Sequence, residues 1–164
     1  MFLIQLIGGI AYSLLTLSYY KKNKRDILYM QIMAYIMFAL HYYLLSGITG
    51  AICNLIGLFA LVTIYIFEKY KLKSKNFIAW LFITLLIIIN IQTFQNIYSV
   101  FPMIAATIVI ISFLEDDANV IRKIGLLSAI CWLVYAIVYK SYISIIFEAI
   151  TLIGTFIAYI KNNK

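Results

Sequence analysis

The sequence predicts an all-α membrane protein of seven transmembrane helices, laid out as two parallel three-helix repeats joined by a linker helix. Three observations predict it. Of 164 residues, 65% are hydrophobic and 12% charged, with mean hydropathy +1.02, outside the range of soluble domains. Charged or polar clusters cut the chain into seven apolar runs. Finally, residues 10–70 return as residues 104–164 without a gap, at an offset of 94. No alternating strand pattern is present, and continuous apolar runs satisfy their backbone in lipid only as helices.

The runs follow one another closely. Phe2 to Tyr20 ends at Lys21 and Lys22, where a cleaved leader would need small residues; with no basic stretch ahead of it, this run is expected to be a retained span. Ile27 to Leu45 begins after the cluster Lys21–Arg25 and stops at Ser46-Gly47. Ile48 to Phe67 ends at Glu68-Lys69, and Phe77 to Phe94, the least comfortable span, follows Lys71, Lys73 and Lys75. Ile97 to Leu114 carries Pro102 and ends at the acidic turn Glu115-Asp116-Asp117. Val120 to Val138 ends at Lys140, and Ser141 to Ile160 ends at Lys161. At about 20 residues per span, seven helices nearly use up the chain and leave no soluble domain. The units are residues 1–70, the linker 71–96, and residues 97–164.

Seven crossings put twelve of the thirteen basic residues on one face, leaving Lys140 on the other. The positive-inside rule makes the crowded face cytoplasmic, so the expectation is a bacterial inner-membrane protein with its amino terminus outside and its carboxyl terminus inside. Orientation accounts for the net charge of +7 without a nucleic-acid partner. Cys53 and Cys131 lie apart inside apolar runs, without metal-ligand or redox spacing, and read as small packing residues.

The gapless overlay holds ten identities in 61 positions, including Ala11 with Ala105, Ser18 with Ser112 and Leu58 with Leu152. It sets helices 1–3 on helices 5–7, loop on loop, and leaves the fourth unmatched. Three helices are an odd number, so tandem units would point opposite ways; one linker helix restores them to the same direction. The overlay also pairs Phe38 with Trp132 and Asn54 with Glu148.

Glu148 is the only charged residue deep inside an apolar run. Seven residues below the start of its helix, at 1.5 Å each, it lies about 10 Å deep, where a carboxylate costs several kcal/mol unless paired or protonated. It is either a proton carrier or solute acceptor, or a protonated group bonded to a neighbouring helix. Asn54 sits at nearly the same depth and presents donors and an acceptor, as a site residue or as interhelical glue. Phe38 and Trp132 share that depth, ready to cover an apolar solute face or to pack. His41, the only histidine, lies one turn from Phe38 and opposite Tyr135 in the overlay. It either relays a proton toward Glu148 or is a hydrogen-bonded structural residue, and no second ligand stands beside it for a metal. Pro102 is expected to remove a backbone bond from helix 5, and Gly8 and Gly9 to loosen helix 1 at the matching depth; together they are candidate hinges. Gly50, Gly57 and Gly154 read as close helix packing. The acidic turn Glu115–Asp117 faces the basic turn Lys21–Arg25 across the repeats, either as a charge contact or as a solvated loop.

Parallel three-helix repeats around one linker resemble the SWEET sugar facilitators and their PQ-loop, MtN3-like relatives. That resemblance implies an aromatic residue on the second helix of each unit and a polar residue on the third, facing a solute near the midplane. Phe38 and Asn54 stand sixteen residues apart, as do Trp132 and Glu148. Phe replaces the usual Trp in the first unit and Glu the usual Asn in the second, which counts against a neutral sugar. The group's helix-1 proline is matched by Pro102 and by Gly8. His41-Tyr42-Tyr43-Leu44-Leu45, Thr49-Gly50-Ala51 with Asn54, and Trp132, Tyr135, Ser141 and Glu148 are similar to the bacterial inner-membrane YgjV family.

The expectation is a SWEET-like carrier or facilitator for a small polar metabolite, rocking one unit against the other, with Phe38, His41, Asn54, Trp132, Tyr135 and Glu148 at the solute. The competing expectation is a non-transporting receptor or accessory protein on the same fold. No nucleophile, base and orienting group come together at compatible depth, so no enzyme is expected. Expected partners are the lipid bilayer and a small polar solute, with no cofactor, no metal and no nucleic acid; self-assembly into a homo-oligomer is left open.

Overall fold

The computed structural model describes residues 1–21, 23–72 and 74–162, and the side chains of these except residues 19, 118, 119, 122, 151 and 154–162. Among the sequence expectations, those resting on Lys22, Lys73, Arg122, Gly154, Lys161 and Lys164 lie outside the described residues.

Among the described residues seven α-helices follow in order: α1 Phe2–Tyr19, α2 Lys24–Leu44, α3 Ile48–Lys69, α4 Lys75–Gln92, α5 Val100–Ser112, α6 Ala118–Val138 and α7 Tyr142–Asn162, with a 3₁₀ turn at Ile97–Ser99. Among the described residues no strand occurs. α2, α3 and α4 are long and apolar enough to cross a membrane, and Phe2–Ser18, Ile97–Ser112 and Lys123–Val138 are shorter apolar helical stretches.

The fifth run opens with a tighter turn. The helix expected from Ile97 begins as a 3₁₀ turn that passes directly into α5: Asn96 Oδ1 accepts the Tyr98 N–H at 3.0 Å, and the Ser99 hydroxyl accepts the Gln95 N–H at 3.2 Å, which caps that turn. Pro102 is the third residue of α5 and follows Val100, whose N–H already bonds the Ile97 carbonyl. Having no N–H, Pro102 supplies no donor to the helical stretch.

α1 packs on α2 and α2 on α3, and likewise α5 packs on α6 and α6 on α7. Contacts of α3 with α5 and of α1 with α7 close the six into a ring, and α4 packs outside on α3 and α5. Buried Ala79, Ile83, Leu86 and Asn90 form the single inward stripe of α4. Asn90 Oδ1 accepts the Cys53 thiol of α3 at 3.4 Å. Small buried residues, Ala11, Ala34, Ala60, Ala105, Ala106 and Ala136, let the helices approach closely. Close approach matters in lipid, where apolar burial alone gives helices no reason to associate. The outer surface is correspondingly apolar, with Phe2, Phe59, Phe77, Trp80 and Ile91 all exposed.

Two ends are distinguished by chemistry. At the basic end, Lys24 at the start of α2 bonds Glu68 at the end of α3, and reaches Asp116 between α5 and α6 at 3.3 Å. Lys75 at the start of α4 bonds Asp116 at 3.0 Å and the Leu114 carbonyl at 2.8 Å. The acidic turn therefore makes the charge contact with the Lys21–Arg25 segment. At the opposite, aromatic end, α2 and α6 stop in matching turns. Ser46 and Lys140 both adopt positive φ, 61° and 52°. The Gly47 N–H bonds the Tyr42 carbonyl and the Ser141 N–H the Ala136 carbonyl, each at 2.9 Å. Every member of one turn lies 94 residues from its counterpart in the other.

Candidate functional site

A cavity lies inside the ring of six helices, lined by Tyr12, Leu15 and Thr16 of α1, Gln31, Tyr35, Phe38 and Tyr42 of α2, Asn54 of α3, Val109 and Ser112 of α5, Ile121, Gly125, Ser128, Ala129 and Trp132 of α6, and Glu148 of α7. Ten of these sixteen fall into five pairs at the offset of 94: Leu15 with Val109, Gln31 with Gly125, Tyr35 with Ala129, Phe38 with Trp132, and Asn54 with Glu148. Two pairs set a large residue of α2 against a small one of α6, and that mismatch leaves space. The cavity offers about 60 Å³ to the centres of water-sized molecules, room for roughly four to six of them at ~10–15 Å³ each.

Glu148 is 6% exposed, and its Oε1 accepts the Tyr12 hydroxyl at 2.8 Å. The Tyr12 ring is itself held, edge-on to Phe38 at 4.7 Å and stacked on Phe147 at 5.1 Å between centroids. Phe38 therefore serves the site partly by clamping the tyrosine that binds Glu148. Asn54 turns its amide back on its own helix, donating to the Gly50 carbonyl at 2.8 Å. Gln31 and Tyr42 are 4% and 1% exposed, and Gln31 Oε1 and Tyr42 Oη have no hydrogen-bond partner of good geometry. The Ser144 hydroxyl is placed to interact with both the Tyr12 and Tyr42 phenols.

His41 and Tyr135 are not among the lining residues; they belong to the closure at the aromatic end. Tyr42 stacks on Trp132 at 5.4 Å, and Tyr135 packs on Tyr42 at 5.3 Å and on Tyr139 at 4.5 Å. The Tyr135 hydroxyl accepts the Gly50 N–H at 2.9 Å. That N–H is the third of α3 and has no acceptor inside its helix, so a side chain of α6 caps α3. His41 Nδ1 lies 2.8 Å from the Ile4 carbonyl and Nε2 2.6 Å from the Ser141 hydroxyl, which in turn donates to Ser144 at 2.5 Å. The file Glu148, Tyr12, Ser144, Ser141, His41 thus joins the cavity to the closed end. Of the candidate hinges, Gly8 presses on His41 and Ile143: a Cβ there would come within 2.8 Å of His41 Cε1. Gly9 has only Ile143 within reach, at 3.8 Å from an added Cβ, and α1 runs unbroken through both.

The cavity reaches the other way. Thr16 is exposed and lies one turn from the end of α1, Ser112 ends α5, and Ile121 is in the first turn of α6, so the mouth faces the basic end. Sequence reasoning missed Tyr12, Gln31 and Tyr42. For α2 a signal existed: Gln31, Tyr35, Phe38 and Tyr42 follow at spacings of four, three and four, a single helical face. Tyr12 had none, since its partner residue lies 136 positions away.

Among the described residues no group of His, Cys, Asp and Glu is arranged to hold a metal. The family model for Imp-YgjV, bacterial inner membrane protein, matches residues 2–164. No curated protein and no solved structure matches the chain.

Proposed function

The chain belongs to the Imp-YgjV family of bacterial inner membrane proteins, and from that premise we propose that it is a carrier or facilitator for a small polar metabolite, with the cavity between α1–α3 and α5–α7 as its solute site. The observation that carries this reading is the cavity itself: buried between two three-helix units, lined by residues in register at the offset of 94, closed by aromatic rings at one end and reaching the basic end at the other. Such a site at the interface of repeats, accessible from one side, supports alternating access by rocking of the units. The proposal includes seven crossings, parallel repeats like those of SWEET proteins, and the basic end on the cytoplasmic side. In that orientation the described form faces inward. Opening the other side requires parting Tyr42, Trp132, Tyr135 and Tyr139 and releasing the Gly50 cap, while the Lys24, Glu68, Lys75 and Asp116 contacts tie the units at the inner face.

Vectorial access tests it. With Cys53 and Cys131 replaced by alanine, a cysteine in place of Ser128 should react with a membrane-impermeant maleimide applied at the basic face. Blocking it there should stop solute-driven swelling of proteoliposomes in a panel of small polyols, amines and amino acids. If the cysteine reacts from neither face and the vesicles stay as tight as protein-free ones, the protein is no carrier, and the non-transporting receptor takes its place.

A further inference from the structure

The cavity is lopsided in charge. Some donors on its wall are spent on the protein: Tyr12 donates to Glu148, Asn54 Nδ2 to the Gly50 carbonyl at 2.8 Å, and Ser112 and Ser128 to the Val109 and Gly125 carbonyls, each at 2.7 Å, while the Tyr42 hydroxyl is buried with no partner of good geometry. The acceptors toward the space include the second carboxyl oxygen of Glu148, the Asn54 carbonyl, and Gln31 Oε1, which is buried with no partner. An unpaired buried group of this kind is costly until something donates to it. Among the described lining residues one is a carboxylic acid and none is Lys, Arg or His. Aromatic rings of Tyr35, Phe38, Tyr42 and Trp132 make up much of the rest, and their faces attract cations.

We infer that the cavity selects a small primary or secondary amine, bound as its ammonium ion, with Glu148 as counter-ion, the Gln31 and Asn54 carbonyl oxygens taking further N–H groups, and the aromatic walls covering its carbons. An anion meets the carboxyl group and no cation. A quaternary ammonium has no N–H for Gln31 or Asn54. A neutral polyol brings donors but leaves Glu148 without a counter-ion. The space, a handful of water volumes, keeps the amine small. This inference rests on the cavity being the solute site proposed above, and it adds the class of solute.

Tryptophan fluorescence can test it. The chain has two tryptophans, and Trp80 is 61% exposed on the outer face of α4, so Trp80→Phe leaves Trp132 as the reporter in the cavity wall. The purified Trp80→Phe protein is titrated at neutral pH with three probes of one size: ethanolamine, ethylene glycol and sodium glycolate. Ethanolamine should shift the emission saturably and the other two should not. Glu148→Gln in the same background should weaken the ethanolamine response by ~100-fold or more, as expected for loss of a buried counter-ion. A response to ethylene glycol or glycolate equal to that for ethanolamine overturns the amine assignment, as does no response to ethanolamine at all. The selectivity of the Trp80→Phe protein decides this even if Glu148→Gln fails to fold. Maleimide access at position 128 reads the carrier proposal separately: a reactive cavity that ignores ethanolamine sinks the solute class alone, and a cavity closed from both faces sinks both.

Discussion

Two glycines in helices should respond to alanine with opposite signs, and the difference probes the aromatic closure. In a helix interior, Gly→Ala ordinarily gains ~0.5–1 kcal/mol because glycine loses the most backbone freedom on folding. At Gly9 that gain should appear, since the added Cβ would meet only Ile143, at 3.8 and 4.0 Å, an ordinary contact. At Gly50 the Cβ would fall within 3.0 Å of Tyr135 Cζ and 3.1 Å of its hydroxyl. Tyr135 cannot give way: it is fully buried and walled in by Tyr42, Trp132 and Tyr139. Overpacking of this kind costs ~1–3 kcal/mol, and displacing the ring would also uncap the Gly50 N–H. The net for Gly50→Ala is a loss of about 1–2 kcal/mol. At ~2–4 °C per kcal/mol for a chain of this size, the thermal midpoint in detergent should fall by ~2–8 °C, against a rise of ~1–4 °C for Gly9→Ala. Circular dichroism during a temperature ramp reads both. If Gly50→Ala proves as stable as Gly9→Ala, Tyr135 does not sit against α3, and the closed end as described is wrong.

Three further outcomes follow from other parts of the molecule. Tyr12→Phe keeps both ring contacts and removes the hydroxyl from Glu148, so stability should fall by about 1–3 kcal/mol and the thermal midpoint by ~2–12 °C; an unchanged midpoint means Glu148 has no need of that donor. The Lys75 and Lys24 ammonium groups beside Asp116 hold its carboxyl below the usual carboxylate range. A pKa lower in the folded state means the pairing contributes above the unfolded value and is lost as pH falls through the folded one. For a pair whose carboxylate is 85% exposed, screening limits Asp116→Asn to a loss of ~0.2–1 kcal/mol. That loss should be constant from pH 7 to 5 and vanish only below about pH 4; a difference already fading at pH 6 would mean Asp116 is not paired as described. Finally, cysteines placed at Lys71 and Lys140 should be labelled by impermeant reagents from opposite faces of the membrane, position 71 from the cytoplasm; labelling of both from one side removes the odd number of crossings.

The all-helical class, the membrane setting and the helix order were legible in the sequence, because a bilayer leaves an apolar chain no other way to satisfy its backbone and because charge clusters mark each end. The offset of 94 could be read too, in pairs such as Phe38 with Trp132 and Asn54 with Glu148, all four of which line the cavity, since register along a helix is a property of spacing alone. The sequence did not decide which polar groups meet. The bond from Tyr12 to Glu148 and the cap from Tyr135 to Gly50 join residues 136 and 85 positions apart, and each depends on how one helix is rotated against another, which side-chain packing sets. The same holds for His41, drawn away from the cavity to Ile4 and Ser141. Spacing places a residue on a face; only the packed bundle determines what that face touches and which of its hydrogen bonds remain unmade.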